Sequence, residues 1–370
     1  MHRPTHVQIS LGQIAGNYRA IERHVGGVQL MPILKANAYG HGLEAVAARL
    51  EREGARCFGV AYVEEGIALR KAGVSCSILV LGGIIGRQIP LFLEHDLILT
   101  ASSVDKLRAI EEAATAFGRK ARVHLKIDTG MERIGIHWYS AGALLEESLR
   151  CPHVAIEGIY SHLACSDGED PGPTALQLER FQEVLRFYER RSLPTPTRHL
   201  ANSGAILQAP ETWLDLVRPG ILIYGVHPSA EVPRLSGVAP AMRWCSHVVY
   251  FKVVQAGHPV SYGWTWQSDV ATRVITVPVG YGDGYFRAMS GKAEVIVRGQ
   301  KKSVVGRICM DQLMVNLEAG EAYNGDEVVL LGEQGEARIT AEDLAGWAGT
   351  IPYEILTNVH ARVPRVYSDE

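Results

Sequence analysis

The chain has 370 residues, 47% of them hydrophobic and 21% charged, which is ample material for a large packed core. Its formal net charge is −3, and acids and bases are mixed along its length, which argues against a nucleic-acid or membrane-surface protein. The cysteines at 57, 76, 151, 165, 245 and 309 form no Cys-x-x-Cys pair and no Cys/His cluster at metal spacing, so they read as reduced thiols and no metal is expected. Residues 1–10 carry no signal-peptide apolar core, and the longest apolar stretch, 78–85, is broken by Gly82 and Gly83 and too short to span a bilayer. The expectation is a soluble cytoplasmic protein with no nucleic-acid or membrane partner.

In chain order, short apolar runs predict strands at 29–34, 57–61, 77–81, 97–100, 123–127, 155–160, 198–201 and 215–217. Amphipathic patterns between them predict helices at 43–52, 63–72, 104–117, 141–150 and 174–191. Eight strands with helices after most of them fit an α/β fold of the (β/α)8 barrel type, although an open doubly wound sheet shows the same local alternation. The texture changes near Ser236. Runs at 242–254, 272–279, 292–297, 302–307, 326–331 and 361–367 are β-like, and only 341–347 looks helical, with Thr340 as its N-cap. The division expected is a barrel over 1–236 and a mostly β domain over 237–370.

The first predicted strand ends in Ile33-Leu34-Lys35-Ala36-Asn37-Ala38-Tyr39-Gly40-His41-Gly42. In a barrel, Lys35 would sit at the carboxyl end of that strand, on the face where barrel enzymes build active sites. A lysine there, backed by apolar residues, can have a lowered pKa and form a Schiff base with an aldehyde. A lone strand-end lysine more often snorkels to solvent. Asn202-Ser203-Gly204 follows the seventh predicted strand and Gly220-Ile221 the eighth, the two loops with which barrels commonly bind phosphate.

These strings recur in order with Leu125-Lys126-Ile127-Asp128-Thr129-Gly130-Met131, Arg133, Ser161-His162 and Val217-Arg218-Pro219-Gly220-Ile221. They continue through Ser261-Tyr262-Gly263, Gly280-Tyr281-Gly282-Asp283-Gly284, Cys309-Met310-Asp311 and Pro352-Tyr353-Glu354-Ile355. The ordered set covers nearly the whole chain and closely resembles bacterial alanine racemases.

The resemblance implies a pyridoxal 5'-phosphate (PLP) barrel followed by a β domain, in a homodimer with shared active sites. It implies Lys35 as the cofactor lysine and base on one face of the substrate Cα, and Tyr262, from the partner subunit, as the base on the other. Tyr39, His162, Asn202, Ser203, Arg218, Gly220, Ile221 and Tyr353 would hold the cofactor, with Arg218 facing the pyridine nitrogen and His162 bonded to Arg218. Arg133, Met310 and Tyr281 would face the substrate, and Lys126 aligns with a lysine that some members carbamylate.

The implied reaction interconverts L- and D-alanine, supplying D-alanine for peptidoglycan. A broader racemase acting on serine or larger amino acids, and a barrel-type PLP decarboxylase, are the alternatives. Glu132 stands where glycine is common and Trp264 where a smaller residue is usual, which bears on substrate range. A PLP carrier without catalysis would lack the β domain and Tyr262.

Overall fold

A strand covered on both faces has no reason to alternate polar and apolar residues. Cys57–Val60 is buried throughout and Ala121–Asp128 nearly so, as that rule requires. The computed structural model describes residues 3–369. It forms two compact units, one of Ile14–Ala38 with Leu43–Ala239, the other of Met1–Gln13, Tyr39–Gly42 and Pro240–Glu370.

The first unit is a closed parallel barrel. Gln29–Leu30 pairs with Leu216–Val217, which pairs at Leu216 with Thr197–His199. The ladder then runs through Val154–Tyr160, Ala121–Asp128 and Leu99–Ala101. A bridge from Ile98 to Leu79 leads to Ser77–Val80, which pairs with Cys57–Val60, and a bridge from Gly59 to Ile33 returns to the start. All eight predicted strands take part, and the closure decides against the open sheet.

The helices bury one stripe each, as in Leu43–Arg52, where Leu43, Val46, Ala47 and Leu50 are inside. Val104–Phe117 starts at Ser103, whose side chain accepts from the Lys106 N–H, and stops at Gly118 in the left-handed region.

The second unit is a mostly antiparallel sheet. Its order is Tyr250–Val254, Thr272–Val277, Leu313–Glu318, Gln300–Val305, Glu294–Val297, Glu327–Gln334, Met242–His247, His6–Ser10 and Arg365–Ser368. Four features differ from the sequence reading. His6–Ser10 is a strand of this unit, antiparallel to Met242–His247 and parallel to Arg365–Ser368, so the chain's first residues do not belong to the barrel as the division at 236 assumed. Val7 and Ile9 alternate inward with polar neighbours, and that short pattern needed distant partners to become meaningful.

The run read as 242–254 is two strands with different partners. Leu313–Glu318 was not expected as a strand, although it alternates buried and partly exposed residues. Pro352–Thr357 is a second helix beside Ala341–Ala348, with proline in its first turn. Among the described residues, no helix is long and apolar enough to cross a membrane.

Candidate active site

Lys35 directly follows the first barrel strand, where Leu34 N–H donates to the Gly59 carbonyl at 2.8 Å. The chain then does something few sequences tolerate: Ala36, Asn37, Ala38 and Tyr39 all have positive φ, at 54°, 56°, 52° and 51°. Left-handed backbone costs a non-glycine residue roughly 1–2 kcal/mol each. The turn is held from several sides. Ala38 N–H donates to the Leu34 carbonyl, the Asn37 side chain accepts from the Leu43 N–H at 2.8 Å, and Glu65 accepts from the Ala36 N–H at 2.7 Å. Gly40 continues the positive φ at 81°, and a Cβ there would lie 2.1 Å from the Leu356 carbonyl oxygen. The Lys35 amine is held below the ordinary lysine range by desolvation and by the Arg133 charge, which Glu65 partly offsets.

Arg218 follows the eighth strand and is 3% exposed. Its Nη2 donates to the carbonyls of Ser161 and Leu200, at 2.7 and 2.8 Å, and its Nη1 to His199 Nδ1 at 2.8 Å. Burial lowers its pKa to about 10, so it is a cation at neutral pH. A guanidinium can only donate, so His199 must accept at Nδ1 and carry its proton on Nε2. That proton points at His124 Nδ1, 2.9 Å away. Burial, with Arg218 among the nearby charges, depresses both histidines, His124 to about 3, so the chain of donors runs one way from Arg218 to His199 to His124.

His162, expected as the partner of Arg218, has its Nδ1 at 3.5 Å from Nη2, a marginal contact beside the bond to His199. Burial and then the charges of Lys126, Arg218, Arg133 and Lys35 press its pKa well down, which places five of the expected site residues in one electrostatic neighbourhood.

Lys126 is buried in the same neighbourhood. It is 6% exposed, its Nζ lies 4.3 Å from the centre of the Tyr160 ring, and burial with Arg218 and Arg133 drives its pKa well below the ordinary value. Tyr160 stacks on His199 at 4.6 Å, so one buried ring serves both Lys126 and the histidine chain. Arg133 lies in the loop organised by Asp128, whose carboxylate accepts from the backbone N–H groups of Gly130, Met131, Glu132 and Arg133 at 2.8–3.2 Å.

The loops after strands seven and eight meet. Gly220 N–H donates to Ser203 Oγ at 2.9 Å, and Pro219 and Tyr224 bond to Ile33 on either side of it. Asn202 caps the Ser203–Gln208 helix through its Oδ1, which also accepts from Ser166 Oγ at 2.6 Å. Gly204 is required by close packing, because a Cβ would lie 2.4 Å from the Ser166 carbonyl oxygen. Ile221 opens the short turn Ile221–Tyr224.

The remaining expected residues belong to the second unit. Tyr281 and Met310 are joined there, since Tyr281 N–H donates to the Cys309 carbonyl and Gly282 N–H to the Met310 carbonyl. Ser261, preceding Tyr262, donates to the Arg307 carbonyl at 2.6 Å and so ties the Tyr262 turn to the same strand connection. Tyr262 is 69% exposed, Met310 53% and Tyr281 42%, so these three side chains form no enclosed site of their own. Tyr39 and Tyr353 have ring centres 6.1 Å apart.

Family models for the alanine racemase N-terminal domain and C-terminal domain match residues 9–228 and 241–367. The chain belongs to the alanine racemase family. An alanine racemase of Carboxydothermus hydrogenoformans is 44% identical over 99% of this chain and 100% of its own length. The crystal structure of alanine racemase from D-cycloserine-producing Streptomyces lavendulae has a TM-score of 0.94 at 38% identity, covering 100% of this chain and 98% of that one. That of Bartonella henselae, with covalently bound pyridoxal phosphate, has a TM-score of 0.90 at 29% identity and 99% coverage of both chains.

Within this family frame, residues not singled out from sequence carry much of the geometry: Glu65, His124, Asp128, Tyr160 and His199. Only Asp128 left a legible signal, an acid two residues before Gly130 in a position to form a turn with its own backbone. Partial burial opposes ionisation of Asp128, but the backbone donors outweigh it and hold the carboxyl below the usual range. Its stabilising contribution is therefore present above the unfolded Asp value near 3.9 and is lost as pH falls through the lower folded value. Asp128→Asn should be less stable than the parent at pH 7, and the gap in urea midpoint should close in acid. A gap independent of pH would show that the carboxylate charge is not what holds the loop.

Proposed function

We propose that this protein is a PLP-dependent alanine racemase working by two bases. The observation that carries the proposal is the buried Arg218, fixed among carbonyls and neutral histidines at the carboxyl ends of the barrel strands, with Arg133 and the amines of Lys35 and Lys126 around His162. Such a set of groups suits a ligand bearing a phosphate and a carboxylate. The residues fit the cofactor: the buried Arg218 guanidinium is a fixed donor that cannot accept a proton, and the Ser203–Gly220 junction brings two loop starts together for an anion. PLP, when bound, withdraws the electron pair left at the substrate Cα.

Arg218 would face the ring nitrogen as a donor that cannot accept a proton, and Asn202, Ser203, Gly220, Ile221, Tyr39 and Tyr353 would serve the phosphate. Arg133, Tyr281 and Met310 would bound the substrate. The Lys35 amine, with its lowered pKa, holds or takes a proton on one face of Cα, and the Tyr262 phenol does so on the other. The purified protein should convert either enantiomer of alanine into the other, read by chiral separation, with serine and larger amino acids as the comparison. Borohydride should fix the cofactor on the Lys35 peptide alone. Fixation on another lysine would remove the basis of the assignment.

The exposure of Tyr262, Met310 and Tyr281 supports a homodimer in which the partner subunit's β domain lends them to the barrel. Lys35→Ala and Tyr262→Phe proteins should each be inactive. A heterodimer keeps both bases at one of its sites, so an equal mixture should recover about a quarter of wild-type activity after subunit exchange. No recovery, with exchange verified, would mean that each subunit's site is self-contained.

Lys126 is proposed to be carbamylated. Burial and neighbouring cations favour the neutral amine, the form that attacks carbon dioxide, losing a proton as the N–C bond forms, and the resulting anion would offset Arg133 and Arg218. Native mass spectrometry should show the added carbon dioxide in the parent and not in Lys126→Ala. Equal masses, allowing for the substitution, would exclude it.

A further inference from the structure

The loop after the second barrel strand sends a carboxylate back to the turn that follows Lys35. Glu65 lies in the first turn of the helix Val63–Lys71, where an acidic residue is ordinary and would attract no notice. Its two oxygens are divided between two loops. Oε2 accepts from the N–H groups of Ala61 and Tyr62, at 2.7 and 3.2 Å, and Oε1 accepts from the Ala36 N–H at 2.7 Å.

The placement has a simple origin. Strands one and two are paired up to this point, with Gly59 N–H donating to the Pro32 carbonyl and Leu34 N–H to the Gly59 carbonyl. Beyond Lys35 the backbone enters the left-handed region, and both loops present N–H groups at this point. A carboxylate, which only accepts, can satisfy both sides where a carbonyl of either loop does not. The bridge is charge-assisted on every arm and carries the connection between the loops past the end of the ladder.

We propose that Glu65 is a positioning residue for Lys35, fixing the turn that carries the amine and supplying the carboxylate charge that balances it. The proposal rests on Lys35 being the cofactor lysine. The charged and titratable groups around the amine are Arg133 from the loop after the fifth strand, His162 after the sixth and Glu65 itself. Arg133 disfavours the ammonium and Glu65 favours it, so removing the Glu65 charge lowers the amine's pKa further.

The test uses the full chain carrying Glu65→Gln or Glu65→Asp, with pyridoxal 5'-phosphate as the probe. Two quantities are read: the Lys35 pKa in cofactor-free protein, from NMR of 13C-methylated amines assigned with Lys35→Arg, and the PLP concentration that half-saturates borohydride fixation at Lys35. Glutamine keeps the shape but turns an N–H₂ toward one set of donors and removes the charge. The Lys35 pKa should fall by about one unit, a tenfold change in protonation. The half-saturating concentration should rise about tenfold or more, as expected for a lost charge-assisted bond.

Aspartate keeps the charge but is too short to span both loops. It should leave the pKa near the parent value while the half-saturating concentration still rises several-fold, and this variant decides the matter if Glu65→Gln does not fold. A folded Glu65→Gln with unchanged pKa and fixation, or a Glu65→Asp with unchanged fixation, overturns the proposal while leaving Lys35 as the cofactor lysine. Fixation at a different lysine in the parent protein overturns the underlying reading and this proposal with it.

Discussion

A guanidinium inside a barrel has to be given acceptors, and it has none to offer in return. Arg218 is that group here, and the surrounding structure is arranged to meet its demand. The barrel supplies two carbonyls, from Ser161 and Leu200, and a ring nitrogen of His199. Satisfying a buried cation with neutral acceptors leaves its charge in place, and each nearby titratable group feels it. His199 and His162 are held neutral by burial with that charge added, and Lys126, also over the Tyr160 ring, is driven in the same direction. The chemistry proposed for Lys35 and Lys126 depends on amines that can lose protons easily, and burial beside these arginines provides the condition.

The carboxylates near these cations, Asp128 and Glu65, are employed on backbone. Asp128 collects four N–H groups of the loop that carries Arg133, and Glu65 collects three from the two loops beside Lys35. Among the described residues, neither forms an ion pair with the cations it lies near. Their hydrogen bonds fix the loops, while their charges act only at a distance. The excess of positive charge is left for a ligand, in keeping with binding a cofactor phosphate and a substrate carboxylate together.

The barrel was legible because doubly covered strands read as short apolar runs, and each of the eight runs became a strand. What escaped had weaker local signatures. His6–Ser10 and Leu313–Glu318 do alternate, but five or six residues of alternation define a strand only when partners are known. The site divided in the same way. Lys35 and Arg218 stand in distinctive strings, whereas His124 and His199 are single histidines within strands, and their alignment beneath Arg218 arises only when strands far apart in sequence close into a cylinder. Glu65 was hidden by resembling a routine acid at a helix start. Residues that act through backbone contacts leave little trace in composition or motif.

The row from Arg218 through His199 to His124 has a consequence for proton traffic. Hydrogen-bonded imidazoles are often conduits along which protons hop, each ring receiving on one nitrogen as it releases from the other. Hopping here would require Arg218 to surrender a proton at one end, or two buried imidazoles to become cations beside it, and both are steeply unfavourable. The row therefore favours one fixed pattern of donors over proton exchange. It transmits orientation to the arginine, and two rings held neutral keep Arg218 the donor at the head of the row.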